Sequence, residues 1–439
     1  MNKLTRALSL PQAVAINTID MVGIGPFITI PFIIGAMNGP SCIFAWVLGA
    51  VLSFADGCVW SELGAKWSEA GGSYQFLQKL YGKKYGRLMS FLYVWQTMIQ
   101  APLVVASGAI GFSQYLTYLI PLSTIEQKIV SGSLVVLITF LLYRKIGDIG
   151  KISVVMGMIV GGTILCLIAS AVPKFDSSLA FNFGEHDFNL SSIFFFGLGQ
   201  ASIKTVYSFL GYYNVCHLGG EITSPEKNIP RSIFISIAII AVLYLLMQIS
   251  VLGIIPWQEA KDSPFIVSLY FERIYGSVAA QVATGLVLFI AITSLFAVLL
   301  GYSRVPYAAA VDGNFFPVFA KLHPTKNFPH ASLLILASLA FVFSLLFKMK
   351  EVITAIIVMR IIIQFLGQSI GLLLYHQKNK AEKFPFRMKM YPLPVLIGIS
   401  VWLFIFFSAE SIYIAGALGV IATGCIAYGV KSFLSREKI

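Results

Sequence analysis

The chain has 439 residues, 57% apolar and 11% charged, with a mean hydropathy of +0.83. Soluble domains carry about 25% charged residues, so this composition excludes an ordinary water-facing globular protein and favours a chain whose solvent is lipid. The net charge of +12 does not call for nucleic acid, because the basic residues cluster in the gaps between apolar runs.

A helix needs roughly 20 apolar residues to cross about 30 Å of hydrocarbon. Residues 1–11 form a short polar N-terminus. The apolar run after it is too long for a signal peptide and lacks a small-residue cleavage site, so it is read as the first span. Spans are predicted near 12–37, 40–63, 86–119, 126–143, 149–172, 191–217, 230–254, 276–302, 331–347, 351–375, 391–408 and 411–432. In lipid each backbone N–H must be satisfied within its own segment, which favours helices over open strands. The fold class is therefore all-α, a polytopic membrane protein of about twelve helices.

Orientation follows from Lys and Arg. With the N-terminus inside, 23 of the 31 basic residues fall in cytoplasmic segments and six outside, while Lys204 and Arg360 lie within spans. Both termini are expected in the cytoplasm, in a multi-pass cell membrane protein (inner or plasma membrane).

The first span contains Met21-Val22-Gly23-Ile24-Gly25-Pro26-Phe27. Proline removes a donor and clashes with the preceding turn, and glycine leaves helical geometry cheaply. The segment reads as a broken helix or as a kink with glycines for close packing. The sixth span carries a second interruption, Tyr207-Ser208-Phe209-Leu210-Gly211-Tyr212-Tyr213-Asn214, followed by Gly219-Gly220-Glu221. Breaks at corresponding positions of two five-span halves are the pattern of an inverted-repeat transporter with a midplane site. Repeat 1 would occupy 12–173 and repeat 2 174–376. A cytoplasmic loop at 377–390, two extra spans at 391–432 and a cytoplasmic C-terminus at 433–439 would follow. Opposed half-helix ends offer N–H groups to a carboxylate and C=O groups to an ammonium, which suits an amino acid zwitterion.

The chain resembles the amino acid–polyamine–organocation superfamily, with its LeuT-type fold, over nearly the whole length. Gly23-Ile24-Gly25 is similar to the family's first-span Gly-x-Gly. Glu62-Leu63-Gly64-Ala65 and Glu69-Ala70-Gly71-Gly72-Ser73-Tyr74 are similar to its loop after span two. Glu221 with Pro225-Glu226-Lys227-Asn228-Ile229-Pro230-Arg231 resembles the loop after span six. Ser303-Arg304-Val305 with Ala310-Val311-Asp312-Gly313 resembles the loop after span eight. The resemblance implies that the amides of Ile24 and Gly25 bind a substrate carboxylate. It implies that the carbonyls of Met21, Tyr207 and Leu210 accept its ammonium, and that Gly211 gives slack to the span-six break. Three positions depart from the pattern: Pro26 lacks a donor, Leu210 stands where relatives often have a second glycine, and Val160 replaces a span-five lysine found in some relatives.

Charged groups inside spans should face the interior, because each costs at least roughly 2.5–3.5 kcal/mol at a helix centre in lipid. Asp20, beside the first break, is a candidate for a proton relay or a structural ion pair; Asp56 reads as structural. Lys204 could snorkel outward or face an outer vestibule, and Arg360 lies mid-span in span ten; with Asp20 they are the coupling or gating candidates. The resembled fold can hold a sodium ion between span-eight hydroxyls and span-one carbonyls, which makes Thr293, Ser294 and the carbonyl at Val22 a candidate sodium site, against the alternative that the hydroxyls bond their own helix. His217 borders span six, while His186, His323, His330 and His376 read as loop residues. The five cysteines lie in apolar stretches without metal spacing.

The expected function is secondary-active transport, by symport or exchange, of a neutral or acidic amino acid, with substrate contacts from Met21, Gly23, Ile24, Gly25, Pro26, Tyr207, Phe209, Leu210, Gly211 and Tyr212. The alternatives are an amino-acid or polyamine antiporter and a non-transporting sensor of the same fold. An enzyme is disfavoured, since no nucleophile–base set sits in the spans. The expected partners are a small-molecule substrate, membrane lipid and a co-transported proton or sodium ion. No cofactor is expected.

Overall fold

The computed structural model describes residues 4–184, 189–347 and 349–436, so His186 lies outside the described residues. Each of the twelve expected spans holds a helix. The first is split into α1 (Leu10–Met21) and α2 (Gly25–Met37), and the second is α3 (Ile43–Lys66). A short α4 (Ser73–Leu80) precedes the third, α5 (Gly82–Leu116). The fourth and fifth are α6 (Thr124–Leu142) and α7 (Ile146–Ala171), and a single turn, α8 (Ser177–Ala180), leads on. The sixth is split into α9 (Ser192–Phe209) and α10 (Asn214–His217), and the seventh is α11 (Pro225–Leu252). Two connecting helices, α12 (Trp257–Ala260) and α13 (Ile266–Tyr275), reach the eighth span, α14 (Ser277–Tyr302), which α15 (Arg304–Val311) follows. The ninth is α16 (His330–Leu346). The tenth joins α17 (Met349–Arg360) to α18 (Gly367–Lys378) through a π-helical stretch, Ile361–Leu366. The last two are α19 (Leu393–Phe407) and α20 (Ser411–Arg436).

By length and composition eight of these helical runs can cross a bilayer, or nine with the bent pair α1–α2 counted as one span. The apolar helices α16 and α19 are shorter, at 17 and 15 residues. Among the described residues there is no strand; one isolated parallel bridge joins Leu8 to Ile222.

Packing places the broken spans at the centre. α2 lies along α9, α1 packs against α7, α11 and α14, and α3 runs along α11. The last span is peripheral: 11% of the apolar window in Ser411–Phe433 is buried, against 78% in Val352–Lys378. The outward faces carry bare apolar side chains such as Phe140, Ile193, Phe407 and Ile412. Such faces suit a hydrocarbon solvent, whereas in water they would make large sticky patches.

The end of the bundle that carries the N-terminus is tightly tied. Ala7 and Leu8 donate to the Glu221 carbonyl at 2.9 Å each, and Thr223 N–H donates to Leu8 O at 2.9 Å. Glu221, fully buried, takes a forked ion pair from Arg304, with Nε and Nη2 each 2.9 Å from a carboxylate oxygen. Glu62, also buried, meets His376 Nε2 and accepts from Met388 N–H at 2.9 Å. His376 is therefore a helical residue of α18, and His330 opens α16; neither is in a loop, because the tenth and ninth helices extend over them. The Lys66 ammonium lies 2.6 Å from Glu382 and holds its carboxyl below the ordinary carboxylate range, with the Tyr375 hydroxyl adding to the effect.

Candidate functional site

Both predicted interruptions are true breaks. α1 stops at Met21 and α2 restarts at Gly25 with a 47° bend. α9 stops at Phe209; Leu210 turns extended at φ −59°, ψ 143°, and Gly211 follows at φ +125°, a left-handed value that a side chain would strain. A Cβ at Gly211 would also strike Met21 N at 2.7 Å and the Asp20 carboxyl carbon at 2.9 Å. Glycine at this position thus serves both the turn and the close approach of the two breaks.

A helix end leaves backbone groups without intrahelical partners. The N–H groups of Ile24 and Gly25 meet no backbone carbonyl among the described residues, and the carbonyls of Tyr207 and Leu210 receive no backbone N–H there. The Met21 carbonyl differs from expectation: it already accepts from the Tyr244 hydroxyl at 2.8 Å and from Gly23 N–H at 3.2 Å. The Tyr244 hydroxyl also lies 3.2 Å from Ser208 O, so α11 pins both breaks through one side chain. Asn17 Oδ1 accepts from Val215 N–H at 3.0 Å, which ties α1 to α10.

These groups surround a cavity of about 50 Å³ lined by Asp20, Met21, Gly23, Ile24, Gly25, Pro26, Tyr207, Leu210, Gly211, Ser294 and Arg360. A water needs about 10–15 Å³ by this kind of measure, so the space holds a few waters. Val104 and Gly108 of α5, Ser208, Tyr213, Tyr302 and Ile356 complete the wall along with residues of α14. Two close approaches keep it narrow. A Cβ at Gly23 would lie 2.5 Å from Ser294 Oγ, and one at Gly25 2.8 Å from the Tyr207 ring. The Tyr207 hydroxyl is held 3.1 Å from Ser107 Oγ.

Several expected residues lie elsewhere. Phe209 packs its ring on Trp46 and Tyr244, at 6.0 and 5.4 Å between centroids. Tyr212 donates its hydroxyl to Asp56 Oδ2 at 2.5 Å, and Trp60 Nε1 donates to the same oxygen at 2.8 Å. Phe209 sits on the far face of α9 and Tyr212 is turned away after Gly211, so Tyr207 and Tyr213 are the rings that line the cavity. Asp56 is thus held by side chains of the break and of its own helix, away from the cavity. Lys204 donates to Gln200 O at 2.9 Å and lines a separate cavity of about 410 Å³ near Asn38, Lys261 and Asp262. Thr293 bonds its own helix, donating to Ile290 O at 2.8 Å, and Val22 is buried away from the cavity. Of the three sodium candidates only Ser294 lines the cavity, with its hydroxyl 3.5 Å from Asp20 O.

Arg360 is 2% exposed and donates from Nε to Gln364 Oε1 at 2.9 Å and from Nη2 to the Tyr213 hydroxyl. Its guanidinium lies 5.1 to 5.7 Å from the ring centres of Tyr213, Phe365 and Tyr302. Beneath them, toward the N-terminal end, Tyr213 stacks on Trp60 at 4.5 Å and the Tyr93 hydroxyl meets His217 Nε2 at 3.2 Å. These aromatic side chains plug the cavity on that side. Sequence reasoning missed Tyr213, Tyr302 and Tyr93, since aromatics in apolar helices are ordinary core residues. Only the run Tyr212-Tyr213-Asn214 beside a glycine could have pointed to the first.

Two broken helices meeting at a partly polar cavity inside a bundle of membrane-length helices are the arrangement of a membrane transporter. A family model for amino acid permeases matches residues 8–424, and the chain belongs to that family, within the amino acid–polyamine–organocation superfamily. It is similar to an uncharacterized amino acid permease, YecA, of Bacillus subtilis (strain 168), at 25% identity over 78% of this chain and 77% of that one. The serine/threonine exchanger SteT of the same strain is 24% identical over 91% and 90%. The aspartate-proton symporter of that strain is 25% identical over 73% of this chain and 65% of that protein.

Proposed function

We propose that the protein is a secondary-active transporter that carries a neutral or acidic amino acid through the cell membrane by alternating access. The observation that carries this reading is the meeting of the two breaks. The free N–H groups of Ile24 and Gly25 and the free carbonyls of Tyr207 and Leu210 open on one cavity. Donors at one helix start and acceptors at the opposed helix end match a carboxylate and an ammonium on the same carbon. The carboxyl group of Asp20 lies beside the Gly211 turn, near the carbonyl side of the cavity. Pro26 and Gly23 shape the wall without offering side-chain groups of their own.

The cavity is too tight for most amino acids as it stands, so spans one and six part to admit substrate, and the two five-span halves move as an inverted repeat. The excess of Lys and Arg puts the tied N-terminal end in the cytoplasm. This conformation is then closed on the cytoplasmic side. Asp20 is the candidate proton carrier and Ser294, with Val22 and Thr293, the candidate contact for sodium; either ion could drive symport, and exchange needs neither. The similarity to an exchanger and to a proton symporter fits both modes.

Ligand-dependent thermal unfolding of the purified protein tests the reading. Neutral or acidic amino acids should raise the melting temperature, by mass action on the folded state. Stabilisation by arginine, lysine or polyamines alone would overturn the substrate class.

A further inference from the structure

Arg360 is a buried cation with coordination to spare. A guanidinium has five N–H donors in a planar fork. One at Nε goes to Gln364 and one at Nη2 to Tyr213, and among the described residues no acceptor is present for Nη1 or for the second Nη2 proton. No carboxylate lies within 4 Å of it among the described residues, although the side chain is 2% exposed and lines the cavity. The other buried arginine, Arg304, shows the contrast, because Glu221 takes its fork at 2.9 Å on both oxygens. A structural arginine at this depth is normally compensated in that way.

We propose that Arg360 binds the side-chain carboxylate of the substrate, which makes the transported species an acidic amino acid, aspartate or glutamate in chemical class. The inference rests on the transport reading above and narrows its substrate. A guanidinium with donors to spare can meet a carboxylate through two parallel bonds, and Arg360 lines the cavity where that carboxylate would lie. The stack of Tyr213 and Tyr302 around the guanidinium fixes its plane before substrate arrives. Charge balances across the cavity when Asp20, the candidate proton carrier, holds a proton, since Arg360 then faces a substrate of one net negative charge. The α-carboxylate meets the N–H groups at Ile24 and Gly25, the α-ammonium meets the carbonyl side with Asp20, and the second carboxylate neutralises Arg360. An amide side chain fits the same space but leaves the guanidinium uncompensated.

The test is direct uptake by wild-type protein in proteoliposomes of labelled aspartate, glutamate, asparagine and glutamine, with serine, leucine and lysine for comparison. At least one acid should be taken up about ten- to a hundredfold better than its own amide, the range that a charge-assisted bond spans. In Arg360→Gln the ratio of acid to amide uptake should fall toward one, whatever the absolute rates. Arg360→Lys, which keeps the charge but loses the fork, should recover part of it. Preference for a neutral amino acid or for lysine in the wild type overturns the assignment of Arg360 and leaves the transport reading standing. Uptake of none of the seven by wild-type vesicles contradicts the acidic assignment, and a wider amino acid panel then decides whether the transport reading falls too. If Arg360→Gln does not fold, the wild-type ratio of acid to amide still decides the question.

Discussion

A methyl group added at Gly25 would sit 2.8 Å from the ring of Tyr207, closer than side-chain carbons approach in folded proteins. The contact spans the two breaks: Gly25 opens α2, and Tyr207 lies in the last turn of α9. Any side chain here must displace the aromatic ring or fill the space beside the free N–H groups. Gly25→Leu should therefore abolish substrate binding while the protein still inserts and purifies as a monodisperse species. Gly25→Ala should weaken binding less, since the end of a tyrosine ring can shift by a few tenths of an ångström. Isothermal titration with the preferred amino acid measures both, and normal affinity in Gly25→Leu would remove the basis for the site.

The Tyr244 hydroxyl touches carbonyls of both broken spans, at 2.8 Å for Met21 and 3.2 Å for Ser208. Tyr244→Phe removes that tie and leaves two buried carbonyls with fewer donors. A loss of about 1–3 kcal/mol of stability is expected, the cost of an unsatisfied buried group. The substrate ammonium would then compete for a freed Met21 carbonyl, so affinity should change as well. Thermal unfolding with and without substrate separates the two effects.

At the N-terminal end, Glu221 and Arg304 form a pair that is 0% and 2% exposed. Removing one partner strands the other charge, so Glu221→Gln or Arg304→Met should each cost about 3–5 kcal/mol. Replacing both with apolar residues of similar volume should cost far less. Because the pair joins the loop after span six to the start of α15, loss of closure at this end should also speed labelling of cysteines introduced near Ala308. Melting curves of the single and double variants, with labelling rates, check this.

Much of this architecture can be read directly from the chain, and the reason is local. Glycine and proline inside an apolar run announce a break because no other residues leave a membrane helix so cheaply, and Gly23, Gly25 and Gly211 stand at the breaks found. Side-chain direction was harder to read. Phe209 and Lys204 lie on faces of α9 turned toward Trp46 and the Lys261 side, and Tyr212 turns toward Asp56 because the direction after the break depends on one positive φ at Gly211. Partners far apart in sequence were also hidden. Glu62 and His376, separated by 314 residues, meet only because α18 and the following loop fold onto α3. Tyr302 reaches Arg360 and Tyr93 reaches His217 for the same kind of reason, from helices whose sequence reads as ordinary core.

The paired breaks also imply symmetry. Rotation about an axis in the membrane plane should lay α1–α2 on α9–α10, α3 on α11, α5 on α14, α6 on α16, and α7 on α17–α18. Superposition of the two halves in an experimental structure measures it. Halves that superpose only without inversion, or only over the first two spans, would sink the repeat.

The most direct test of the central claim is counterflow in proteoliposomes. Vesicles holding wild-type protein are loaded with an unlabelled amino acid at high concentration and diluted into a trace of the same labelled compound. A transporter should accumulate label transiently above equilibrium for a neutral or acidic amino acid, and Gly25→Leu vesicles should not. Saturable binding of the same amino acid to the purified protein without any accumulation of label would contradict the account, leaving a protein that senses its ligand and does not carry it.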